Sequence, residues 1–221
     1  MKQILISTLI SFLVLTACNL DEILNDAENS NISAKTKLND VLSTARKDFS
    51  SDAQLSAIYG LNVSTKGEID LSRPGDNAFV YVVQSDSKQA NEFYVPVFGS
   101  GPVKSPIDFN SMLSLIKDQT AKNILGNVFG GLSTINIDPS ASCDDSPSII
   151  EKMLTRSDVS NFRSFNSGSK IDMFLIPGKS IDTTNVTNSA DWLVNFYGDS
   201  TSLVLWLHPG TVNGTVTKIS D

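Results

Sequence analysis

Apolar residues recur along this chain at two spacings, and the switches between them mark out its elements. From Ala34 the spacing is helical. Ala34, Leu38, Val41, Leu42, Ala45 and Phe49 share one face, while Lys35, Lys37, Asn39, Asp40, Arg46 and Lys47 occupy the other. Such a helix needs a surface to pack on. Strand-like runs follow. Gln54–Val63 ends at the turn Ser64-Thr65-Lys66-Gly67, and Ala78–Val83 is β-branched and aromatic. After a polar turn over Gln84–Asn91 comes a second run, Glu92–Phe98. Pro96 lacks an amide hydrogen, which makes this strand an edge or bulges it there. Gly99-Ser100-Gly101-Pro102 closes the segment.

Helical spacing returns over Asp108–Gly131, where Ala121, Ile124, Leu125, Val128 and Phe129 align before Gly130-Gly131 stops the pattern. A short strand is expected at Leu132–Ile137. Ser146 or Ser148 then starts a helix that runs to about Phe162. A Ser146 cap puts Pro147 in the first turn, and a Ser148 cap gives Glu151 the capping-box spacing. Strands follow at Lys170–Ile176, Trp192–Tyr197, Ser202–His208 and Thr215–Ile219.

The two halves share an order of helix, strand, polar gap and hairpin. Asp76–Tyr81 matches Ala190–Phe196 in pattern, Glu92–Val97 matches Leu203–Leu207, and Gly101–Val103 matches Asn213–Val216. The expected fold class is α+β, with two units in tandem, each a helix plus antiparallel sheet. The first spans residues 34–107, the second spans 146–221, and a helical and strand connection over 108–145 joins them. Ala45, Asp52 to Gly60, Gly67 and Phe79-Val80-Tyr81 carry a resemblance to the PepSY-like and cystatin-like α+β families. In those families a helix packs across a curved antiparallel sheet. The resemblance covers 34–103 and, more loosely, 146–219. It implies a non-catalytic periplasmic binding or inhibitory module, although the Gln-x-Val-x-Gly loop of cystatin inhibitors is not present.

The N-terminus has a different pattern. Lys2 precedes an apolar run, Ile4–Val14, that is too short to span a bilayer comfortably. Leu15-Thr16-Ala17-Cys18 follows and resembles the lipobox of bacterial lipoproteins. That resemblance implies that residues 1–17 are a signal peptide and that Cys18 is lipidated as the first mature residue. Several acyl chains would then anchor the protein in the membrane. Residues 18–33 are polar and read as a flexible tether. Asn19 favours export to the outer membrane of the cell envelope.

The formal charge is −7, and it becomes −8 once Lys2 is removed with the signal peptide. An acidic chain argues against nucleic acid as a partner. With Cys18 acylated, Cys143 has no intramolecular disulfide partner. Candidate chemistry is sparse. Ser142-Cys143-Asp144-Asp145 would raise a thiol pKa rather than lower it. His208 is the only histidine, and no nucleophile or orienting carboxylate can be placed beside it from sequence. Asp138, Asp144 and Asp145 could bind calcium, but their spacing is not that of an EF-hand. Trp192 and Trp206 read as core, or as a ligand platform if exposed. Cys18 is therefore the site residue assigned, by lipidation, and no catalytic, cofactor or metal residue is assigned. The expected function is a membrane-anchored, non-catalytic envelope binding module for a peptide, protein or envelope polymer. The alternative is an envelope hydrolase that uses paired carboxylates as acid and base.

Overall fold

A computed structural model describes residues 30–73, 75, 77–105, 143–178 and 190–220, with six isolated positions between 113 and 126. The signal peptide, Cys18, most of the tether, the Leu132–Ile137 strand and Asp138 lie outside the described residues. In order, the elements are β1 (Asn31–Ile32), α1 (Leu38–Asp48), β2 (Gln54–Leu61), β3 (Ile69–Asp70), β4 (Ala78–Ser85), β5 (Ala90–Val97) and β6 (Ser100–Lys104). Then come α2 (Ser146–Leu154), α3 (Ser157–Phe165), β7 (Lys170–Pro177), β8 (Ala190–Tyr197), β9 (Ser202–His208) and β10 (Thr215–Ser220). Helices combine with antiparallel sheet, so the fold is α+β. Leu113, Ser114, Gln119, Lys122, Asn123 and Gly126 are helical, in the region where helical spacing was expected.

The larger strands form one antiparallel sheet of order β10-β9-β8-β7-β2-β4-β5-β6. Each half of the chain supplies four adjacent strands, and the halves meet at β2 and β7. The seam is short: Ile58 pairs with Leu175, Tyr59 with Phe174, and Gly60 with Met173. Tyr59 and Phe174 stack across it with ring centroids 4.6 Å apart. A side chain at Gly60 would meet Phe79 and Val63 at 2.7 Å, so this position requires glycine.

The expected helical face of α1 buries Leu38, Val41, Leu42 and Ala45 across β4, β5 and β6. Each such burial contributes about 1.5–3 kcal/mol for the larger side chains. With Phe79, Tyr81, Met173, Trp192 and Phe196 they form the main core. The opposite sheet face is also apolar and buried, through Tyr59, Val80, Val82, Phe174, Ile176, Leu193 and Val204, with Leu113 packed against them. Strands buried on both faces lose the apolar–polar alternation, which explains the continuous apolar runs in β4, β7 and β8.

Several boundaries differ from expectation. The helix expected from Ser146 to about Phe162 is two helices. Arg156 is extended at ψ 140°, and the Thr155 hydroxyl donates to the Lys152 carbonyl, which ends α2. Neither Ser146 nor Ser148 caps α2. Asp145 does, accepting the Ser146 amide at 2.7 Å, with Pro147 in the first turn. The Gly99–Pro102 segment does not close the sheet but leads into the edge strand β6. Pro96 therefore lies on an interior strand rather than an edge, and the expected bulge is there, at the register shift between Val95 and Val97. β4 and β5 are longer than expected, leaving a shorter turn between them.

Candidate functional site

Two places on the described chain hold unusual chemistry: a cavity at one end of the sheet, and a polar patch on its buried second face. The cavity arises where β2 ends and β4 begins. Leu61 pairs with Ala78 at that end, and β5 reaches it with Val95 and Pro96. β3 closes one side. It pairs with β1, Asn31 facing Asp70 and Ile32 facing Ile69, and the Leu71 amide donates to the Ser30 carbonyl at 2.8 Å. The pocket is half open to solvent and its volume is about 700 Å³, within the range of small-ligand sites. Its walls are mainly apolar, formed by Leu61, Ile69, Leu71, Phe79, Val95 and Phe98. Val97 and Phe98 are about 40% exposed at its edge.

Three polar residues interrupt that lining: Asp70, Ser72 and Asn77. The first two satisfy each other. Asp70 accepts from the Ser72 amide at 3.0 Å and its hydroxyl at 2.6 Å, which holds the carboxyl below its usual range. Asn77 Oδ1 is buried and has no hydrogen-bond partner. A buried acceptor without a donor is uncommon in folded proteins and costs about 1–3 kcal/mol. No family model matches the chain, and no curated protein or solved structure matches it.

The polar patch lies on the second face. Asp172 on β7 sits opposite Asn195 on β8, and both are almost wholly buried. The Asn62 amide donates to Asp172 at 2.8 Å, while the Tyr59 and Tyr197 hydroxyls approach at 3.5 and 3.4 Å. Burial outweighs these bonds and pushes the Asp172 carboxyl up to about 6. Both side-chain polar atoms of Asn195 are buried without partners.

Asp191, also buried, accepts from Trp206 Nε1 at 2.9 Å and lies 2.7 Å from His208 Nδ1. It is the orienting carboxylate that could not be placed beside His208 from sequence. Asp172 and Asp191 do not form the close pair that acid–base hydrolysis requires. Asp191 pairs with Ile176, four residues along β7 from Asp172, a separation of about 13 Å at strand rise.

The other candidates are bound into the fold. Asp145 accepts from the Ser33 hydroxyl at 2.5 Å and the Lys35 amide at 3.1 Å. Asp144 Oδ2 accepts the Val212 amide at 2.6 Å. Among the described residues no group of three or more His, Cys, Asp or Glu could hold a metal ion. Cys143 is buried, and that burial pushes its thiol pKa up, opposed by nearby Lys35. Trp192 is core, with its indole donating to the Asp144 carbonyl, while Trp206 is partly buried on the second face.

Nothing at sequence level pointed to the cavity. Its traces are the Val97-Phe98 pair ahead of Gly99, and Ile69 and Leu71 bracketing Asp70. Asn77 carries no local signal, because its isolation comes only from where the fold places it.

Proposed function

We propose that this chain is a lipid-anchored binding module of the bacterial cell envelope, and that it takes the apolar part of its ligand into the cavity between β2, β3, β4 and β5. The observation that carries this reading is the cavity itself, about 700 Å³ with mainly apolar walls. A half-open pocket of this size with mainly apolar walls is in the range that takes small ligands. The anchor rests on Leu15-Thr16-Ala17-Cys18, with Cys18 as the lipidated residue and the outer membrane as the expected location. A PepSY-like or cystatin-like relationship agrees with the repeated order of helix followed by four antiparallel strands.

The test uses residues 18–221 with Cys18→Ala and the apolar fluorophore N-phenyl-1-naphthylamine. Fluorescence titration should show one saturable site, and Ala78→Phe, which fills the cavity from β4, should remove it without changing the circular dichroism spectrum. Absence of saturable binding by the unfilled protein would sink the reading. The anchor has its own check. Full-length chain should pellet with membranes, and its Cys18→Ala variant should not.

A further inference from the structure

We infer that the β5–β6 hairpin at the cavity edge seats on the bilayer that holds the anchor, through Val97, Phe98 and Val103, and turns the cavity toward lipid. This rests on the anchored reading, with lipidation at Cys18, and not on the cavity holding a ligand.

Two independent observations point to this contact. The first is where apolar side chains reach solvent. Among the described residues five large apolar side chains are exposed, and three of them, Val97, Phe98 and Val103, lie on this one hairpin. Val103 pairs with Val95, which lines the cavity, so the apolar surface runs from the hairpin into the cavity wall. Exposed apolar surface of this kind marks a contact with a protein or a membrane. The charged groups beside it are already paired: Asp70 with Arg73, Glu92 with Lys104, and Asp40 with Lys37. They leave little for a charged partner to complement, whereas an acyl surface needs only the apolar rim.

The second observation is where the chain enters the domain. The Ser30 carbonyl accepts from the Leu71 amide, and Leu71 lines the same cavity as Phe98. The segment leading back to Cys18 therefore joins the domain beside the apolar rim. Ser30 lies twelve positions after Cys18, so this edge stays within about 40 Å of the anchored residue even at full extension. A link of that length gives an effective concentration on the order of millimolar, so a contact too weak to recruit a free protein still docks an anchored one. The formal charge of −7 opposes attraction to anionic lipid, so the contact is apolar rather than electrostatic.

The experiment uses the full lipidated chain carrying Cys143→Ala, reconstituted in phosphatidylcholine liposomes. A nitrobenzoxadiazole label is placed through Ser100→Cys, at the hairpin, or through Asp86→Cys, in the exposed turn at the opposite end of β5. Those ends are about 23 Å apart at strand rise. Doxyl-labelled phosphatidylcholine should quench the Ser100 label several-fold more strongly than the Asp86 label, and high salt should not change this. Phe98→Ser with Val103→Ser should bring the Ser100 quenching down to the Asp86 level while the chain still pellets with the liposomes. The comparison of the two labels stands without that variant, should it fold poorly. Equal quenching at the two positions, with the chain still pelleting, overturns this inference and leaves the anchor standing. Quenching at Ser100 that high salt abolishes overturns it in favour of a contact made by charge. A chain that fails to pellet overturns the anchor and this inference together, while binding of N-phenyl-1-naphthylamine reports on the cavity separately.

Discussion

Burial holds the Asp172 carboxyl near pH 6 although an amide and two phenols face it. A carboxyl with a higher pKa in the folded chain binds more protons there than in the unfolded chain. Stability therefore falls as pH rises from about 4 to about 6. Asp172→Asn keeps an oxygen for the Asn62 amide and removes the charge. It should flatten that slope and raise stability at pH 7 by up to roughly 3 kcal/mol, the equivalent of the gap between 3.8 and 6. Urea midpoints at pH 4.5 and pH 7 measure it, and a variant that retains the wild-type slope would assign the pH dependence to other groups. Lys170 on the same strand face, the Asn62 amide and the two phenols all favour the charged form, but burial outweighs them.

At the scale of elements, the halves of the chain are tied together by small contacts near the start of α2. Gly67 has φ +75°, and a Cβ there would meet the Ser146 carbonyl at 2.5 Å and Pro147 at 2.6 Å. The turn before β3 thus packs directly on the first turn of α2, helped by the bonds from Ser33 and Lys35 to Asp145. Gly67→Ala should destabilise by more than about 1 kcal/mol, from both the backbone conformation and the clash. A thermal midpoint equal to that of the wild type would mean that this contact is looser than described. The elements themselves were largely legible in the sequence. The apolar stripe of α1 and the four strands of the second half fall where their spacing places them, because local burial sets those patterns. The break at Thr155-Arg156 was not legible, since neither residue is a helix breaker and the interruption comes from backbone and side-chain bonding. The matched hairpins are β4, β5 and β6 against β8, β9 and β10, which sit in mirrored positions of the sheet order. Nothing in the pattern revealed that all eight strands share one sheet, because the β2–β7 pairing joins residues more than a hundred positions apart. The cavity and Asn77 were illegible for the same reason.

For the whole molecule, the shared sheet predicts shared stability. Residues 34–107 alone would leave β2 with an unpaired edge and expose Ile58 and Tyr59, both buried in the intact chain. That fragment should not form a stable monomer, and the intact protein should unfold in one cooperative transition by both circular dichroism and tryptophan fluorescence. A fragment with its own sharp unfolding transition would show that the seam is dispensable. The same assembly leaves one end of the sheet hollow, against the strand pair by which the N-terminal segment joins the domain. The account's central claim is that this space takes an apolar ligand. Methyl-labelled NMR of residues 18–221 with Cys18→Ala, titrated with N-phenyl-1-naphthylamine, tests it most directly. Saturable shifts should appear at Leu61, Ile69, Leu71, Val95 and Val97, while Leu205 and Ile150, in the core away from the cavity, stay in place. Shifts spread without regard to the cavity, or no saturable shifts at these methyl groups, would contradict it.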